Sequence, residues 1–192
     1  MTTILEAAAQ ILEAGGLAAF TTNAVAERAG VSIGTLYQYF VDKNALLMAL
    51  ARQEMGTALV EVGRALSGVD DPTPESRVRA MVRAMVHAFR GRSRARKAVV
   101  QAILAQGLGI EMVAPINNFI ANIGTAIGQD AERLPALERE QVFVLSRALL
   151  GAIRAAVMEE QPFLQSRRFE DELVRLVMSY IESIARAAGR PL

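Results

Sequence analysis

Two short helical patterns meet at a single glycine in "AERAGVSIGTLYQYF", residues 26–40, and this junction restricts the possible folds more than any other stretch. Ala26 lies four residues before Gly30, so a second helix can cross the first closely. Glycine takes a left-handed turn without the steric cost other residues meet, and Val31 can plug the gap beside it. Thr22 is placed to cap a helix from Asn23 to Ala29, its side-chain oxygen accepting a free backbone N–H. Ser32 can cap the next helix, Ile33 to about Phe40, and Asp42 a longer one running to about Leu66. Leu36 and Tyr39 fall where packing needs bulk, while Thr35, Tyr37 and Gln38 crowd polar groups onto the same two turns. This is the pattern of a helix-turn-helix, whose second helix fits a major groove about 12 Å wide and offers its N-terminal residues to base edges. An ordinary helical hairpin in a bundle is the alternative that the bare pattern leaves open.

Hydrophobic periodicity makes the rest of the chain helical too. Ile4, Leu5, Ala8, Ile11 and Leu12 recur at three- and four-residue intervals, predicting a helix over 3–14 that Gly15-Gly16 ends. "SGVDDPTPES", residues 67–76, is a loop in which Thr73 can cap another helix, and Val78, Met81, Val82, Met85, Val86 and Phe89 then form a stripe. Residues 94–106 and 112–128 read as two further helices, and about 138–160 and 169–188 as a final pair separated by a turn at Gln161-Pro162. No β-type alternation reaches useful length, and there is no internal repeat. The class is all-α: a three-helix head over residues 1–44, then a larger helical domain over 45–192.

Several chemistries are excluded early. With no Cys, disulfides, thiolate metal sites and Cys nucleophiles are impossible. His87 is the only histidine; on its apolar stripe it reads as a buried, partnered side chain. No carboxylate cluster has metal-ligand spacing, no Ser-His-Asp set can be assembled, and no glycine-rich phosphate loop is present. Neither an enzyme, a cofactor nor a metal site is expected. No apolar run approaches the ~20 residues that cross a bilayer, and the first residues do not read as a secretory signal, so the expectation is a cytoplasmic protein without a membrane partner.

The net charge of +1 hides an asymmetry. Residues 1–50 hold two basic groups and four acidic ones, a net −2, whereas residues 77–97 hold eight basic groups and no acidic one. A return of the helix near residues 74–90 towards the head would bring Arg90, Arg92, Arg94, Arg96 and Lys97 close to any bound DNA.

The stretch "TTNAVAERAGVSIGTLYQYFVDKNALL" resembles the DNA-binding domain of TetR-family (tetracycline-repressor-like) regulators over about residues 4–50. The matching features are the paired Thr, the Ala-Gly-Val-Ser turn, the Gly-Thr-Leu-Tyr of the second helix and the Tyr-x-Tyr-Phe-x-x-Lys run. The resemblance implies a homodimeric, ligand-responsive repressor released from a near-palindromic DNA operator by a small molecule. It implies phosphate contacts by Thr22, Tyr37, Tyr39 and Lys43, and base or phosphate contacts by Ser32, Ile33 and Gly34. Thr35 and Gln38 are the candidates for base edges, since Gln can pair in bidentate fashion with adenine. One departure stands out: family members carry basic residues before the first helix, and "MTTILEAAAQ" has none.

In the larger domain, Val142, Leu145, Leu149 and Ile153 form one stripe and Val144, Ala148 and Ala152 a second; Leu173, Val177, Ile181 and Ile184 lie beside Val174, Met178 and Ala185. A helix apolar on two faces needs two partner surfaces, and the expected second partner is the same helix pair of another subunit. Leu145, Leu149, Ile153, Val174, Val177 and Ile181 are the interface candidates. Adaptable methionines and neighbouring groups, Met55, Met81, Met85, Phe89, Gln101, Met112, Asn118 and Phe119, are candidates to line a pocket for a mainly apolar ligand. The alternative function is a helical small-molecule-binding protein without useful DNA binding.

Overall fold

A computed structural model describes residues 1–69, 73–88, 92–105 and 137–187 of the 192-residue chain. All their regular structure is helical: α1 Thr2–Ala19, α2 Thr22–Ala29, α3 Ile33–Tyr39, α4 Lys43–Ser67, α5 Pro74–His87, α6 Ser93–Ala105, α7 Arg139–Met158 and α8 Arg167–Ala187. Two compact units emerge, one gathering residues 1–57 and 89–110, the other 58–88 and 111–192. The division therefore falls inside α4 rather than at residue 44, and the unit carrying α2 and α3 also contains α6.

In this first unit, Ile4, Leu5, Ala8, Ile11 and Leu12 are buried as their spacing predicts. The glycine pair breaks α1 as expected, although a last short helical stretch follows it. Gly16 takes φ 62, ψ −160, a conformation almost reserved for glycine, and the helix resumes beyond this kink to Ala19. α6 packs on α1 and buries Ala95, Ala98, Val99 and Ala102, small side chains that let two helices approach. Polar links fix the pairing. Arg92 forks onto both carboxylate oxygens of Glu6, and the Ala95 N–H donates to Glu13 Oε2 at 3.0 Å; Arg96 Nε ties α6 to α4 instead, donating to Glu54 Oε2 at 3.4 Å. Glu13 thus serves the N-terminal turn of α6, where an anion is favoured.

The Arg92 guanidinium hydrogen-bonded to Glu6, helped by Gln10, holds the Glu6 carboxyl below its ordinary range. A depressed carboxyl contributes stability above its unfolded-state pKa and loses it as pH falls through the folded value. Glu6→Gln should accordingly lower stability at neutral pH and make the further loss on the acid side shallower. Thermal melts between neutral pH and pH 3 check this; identical acid profiles for the two proteins would refute it.

In the second unit, α8 packs on α5 and α7. Val78, Met81, Val82 and Val86 of α5 are buried, as are Leu173, Val174, Val177, Ile181 and Ala185 of α8. Arg79 pairs with Asp171, and Arg83 Nε with the buried Glu170 at 3.4 Å. Thr73 caps α5 as expected, accepting from the Ser76 N–H at 3.2 Å. His87 is exposed in the last turn of α5, not buried and partnered: α5 ends there, and its buried stripe runs through Val86 instead.

α7 opens with a capping box, in which the Glu138 N–H donates to Gln141 Oε1 at 2.8 Å. Val142, Leu145, Leu149 and Ile153 are buried within the chain itself. So are Val174, Val177 and Ile181, so all six side chains expected at a dimer interface lie in the chain's own core. The apolar surface left over is the second stripe: Val144 is 50% exposed, Ala148 is exposed beside it, and Phe143 and Leu176 are similarly open. By length and composition α7 could cross a membrane, contrary to the expectation from apolar runs alone. Its buried stripe and the exposed Arg154 fit a core helix with one wet face.

Candidate nucleic-acid interface

The geometry of α2 and α3 follows from their caps. Thr21, not Thr22, is the N-cap of α2: its Oγ1 accepts the Ala24 N–H at 3.1 Å. A tandem Thr gives two frames for one cap, and the upstream frame wins because Thr21 has the extended backbone (φ −128, ψ 154) that a cap requires. Thr22 becomes the first helical residue, and its hydroxyl is released for another role. Gly30 closes α2 at φ 68, ψ 29, and the Val31 N–H reaches back to the Ala26 carbonyl at 3.0 Å, the bond pattern of a Schellman turn. Ser32 then caps α3, accepting from the Thr35 N–H at 3.0 Å. Asp42 caps α4, its Oδ1 accepting from the Ala45 N–H at 2.7 Å.

α3 is held to the head by one fully buried side chain, Leu36, in a core with Phe20, Val25, Ala26, Phe40, Leu46 and Leu47. Everything else it bears faces outward or sits at the edge. Ile33, Gly34, Tyr37, Gln38 and Tyr39 are exposed, and Thr35 is half-buried. Tyr39, expected partly in the core, is 55% exposed. Val41, which no sequence signal singles out, is the most open large apolar side chain of the head at 80%.

The hydroxyls form two pairs. Thr22 Oγ1 and Tyr37 OH lie 3.3 Å apart, so the start of α2 and the middle of α3 converge on one point. Ser32 Oγ and Thr35 Oγ1 lie 2.8 Å apart, which occupies one donor and leaves less of either hydroxyl for a base. Lys43 Nζ donates to the Leu17 carbonyl at 3.3 Å and lies 5.5 Å from the centre of the Phe20 ring. An ammonium has three N–H donors, so this tether to the end of α1 aims the group without exhausting it. Together these residues present hydroxyl, amide and cationic donors on one small surface, the set that grips phosphates and reads base edges.

The expected pocket residues divide between the two units. Met55 belongs to the first unit, whereas Met81, buried, and Met85, half-buried, belong to the second. Gln101 is exposed on α6 and lines an open cleft on the first unit. Phe89, Met112, Asn118 and Phe119 lie outside the described residues, as does Arg90.

Residues 4–50 match the family of bacterial regulatory proteins, tetR family. The transcriptional regulator UidR of Escherichia coli K12 is 29% identical over 113 residues, 59% of this chain and 54% of its own. The transcriptional repressor KstR of Mycobacterium tuberculosis is 34% identical over 99 residues, 52% of this chain and 44% of its own. The chain thus matches about half the length of these curated relatives or less. Among solved structures, the fatty acid degradation regulator FadR from Bacillus halodurans has a TM-score of 0.70 at 18% identity, covering 92% of this chain and 93% of that one. FadR from Bacillus subtilis, solved in complex with stearoyl-CoA, has a TM-score of 0.68 at 18% identity, with 94% and 98% covered. At such identities the likeness establishes the fold.

Proposed function

From the membership of its N-terminal residues in the TetR family, we propose that this chain is a ligand-responsive DNA-binding transcriptional regulator, acting as a repressor. It binds a near-palindromic operator as a homodimer, with the two α3 helices about 34–36 Å apart, or a little more, to meet successive major grooves. The observation that carries this reading is the outward face of α3, with Thr22 and Tyr37 converging beside Lys43. Thr22, Tyr37 and Lys43 grip phosphates; Gln38, exposed on α3, reads a base edge, with Ile33 and Gly34 allowing close approach. Ser32 and Thr35 chiefly order the start of α3, and Tyr39 adds a flanking phosphate contact.

The dimer forms on the exposed stripe of α7 around Val144 and Ala148, with Phe143 and Leu176 at its sides. The effector is a small, mainly apolar molecule bound by residues 45–192; a neighbour of the same fold takes stearoyl-CoA. It lowers operator affinity only insofar as it binds the DNA-free arrangement of the dimer more tightly.

Footprinting on the DNA upstream of the protein's own gene, followed by variants, tests the assignment. Tyr37→Ala and Lys43→Ala should weaken binding about uniformly across sequences. Gln38→Ala should relax preference at one position in each half-site, costing about 1–3 kcal/mol of discrimination. If Gln38→Ala leaves sequence preference intact while Lys43→Ala alters it, the roles are reversed.

A further inference from the structure

Half of the eight basic groups of residues 77–97 are spent on carboxylates. Arg79 and Arg83 pair with Asp171 and Glu170, while Arg92 and Arg96 pair with Glu6 and Glu54. Arg94 is different: it is exposed and has no ion-pair partner among the described residues. It lines, with Lys97 and Gln101, an open cleft of about 300 Å³ whose far wall is the α1 kink at Gly16 and Leu17. That volume is at the small end of ligand sites, and no acidic side chain lines it. The glycine at the kink keeps the wall low: a Cβ there would project into open space, meeting nothing within 4 Å. The nearby helix N-terminus plays no part, because Glu13 already occupies it. Leu17 joins this cleft to the reading surface directly: its carbonyl is the one that receives Lys43 Nζ.

We propose that Arg94, Lys97 and Gln101 form a phosphate-binding cleft at the kink of α1, continuing the cationic track that begins at Lys43. A planar guanidinium can fork onto two phosphate oxygens, the ammonium adds a point charge, and the Gln amide a neutral donor. On the DNA-binding reading, on which the choice of source rests, the phosphate belongs to the backbone flanking the half-site. The same chemistry would take the phosphate of a soluble ligand. The acidic first fifty residues gain here the positive charge that their own sequence lacks.

The experiment uses the full chain and the double variant Arg94→Gln, Lys97→Gln, with thermal melts verifying that both are folded. Operator binding is followed by fluorescence anisotropy across a salt series, and inorganic pyrophosphate is titrated calorimetrically without DNA. Each lost phosphate contact lowers the slope of log K against log salt by about 0.9. The expected result is a slope shallower by about 1–2, one or two contacts' worth, with discrimination between the operator and a mismatched site unchanged. An unchanged slope with pyrophosphate binding abolished by the double variant keeps the cleft and assigns it to a soluble phosphate. A wild type that binds no DNA sequence overturns the regulator reading, and pyrophosphate then decides the cleft alone. The same slope in both proteins, with no pyrophosphate binding to either, overturns the proposal.

Discussion

Leu149→Glu will unfold the second unit, whereas Val144→Glu will leave it folded and separate the protomers. The two residues sit five apart on α7 and are both apolar, yet Leu149 is 1% exposed and Val144 is 50% exposed. A carboxylate at 149 would have no partner in a core of Val142, Leu145 and Ile153. An uncompensated buried charge costs about 3–5 kcal/mol, and the lost leucine packing adds about 2–5 kcal/mol. Total stabilities of about 5–15 kcal/mol do not absorb that easily. At 144 the carboxylate stays in water in the single chain, and its penalty falls on the assembled state alone. Circular dichroism should show lost helix for Leu149→Glu only, and sedimentation at micromolar concentration should show a folded monomer for Val144→Glu. A wild type that sediments as a monomer would remove the dimer from the proposal, and a Val144→Glu protein that remains dimeric would remove the α7 stripe as its interface.

Leu36→Ala should cost about 2–5 kcal/mol and abolish operator binding, although Leu36 never faces the surface. α3 has seven residues and one fully buried side chain. A helix this short is not stable on its own; packing through Leu36 makes it persist. Removing that anchor frees α3 before it melts α1 or α4, which keep Leu5, Leu12, Leu46 and Leu50 buried. Hydrogen exchange should therefore show α3 amides losing protection while those of α1 retain theirs. Tyr37→Ala is the contrast, weakening binding with α3 protection intact. Full protection and normal affinity in Leu36→Ala would show that the caps at Ser32 and Asp42 suffice to hold the helix.

Local signals made the head, and the start of α5, readable from sequence. Gly30, Ser32, Asp42 and Thr73 each act within four residues of themselves, through a turn or a cap, and each does in the structure what its residue type requires. The failures are of two kinds. Where the chain offers equivalent choices, periodicity does not select: the two stripes of α7 are both apolar, and only packing against α8 and the rest of the core decides that Leu149 goes in and Val144 stays out. The other kind is distance along the chain. Nothing near Glu6 announces Arg92, and nothing near Glu13 announces the Ala95 amide. The acidic head and the basic run are visible separately in sequence; their partial cancellation is a property of the fold.

The place of α6 also decides what can be transplanted. A gene fragment ending near residue 57 would encode every DNA-facing side chain proposed on α2, α3 and α4, yet only part of the body that supports them. It would strip Glu6, Glu13 and Glu54 of their partners at 92, 95 and 96, and wet the side of α1 on which α6 rests. Such a fragment would carry its carboxylates unneutralised towards a polyanion. The unit that carries the proposed DNA-reading surface is therefore encoded as two separated segments, and on that proposal a chimera that swaps reading heads must move residues 92–105 along with residues 1–57.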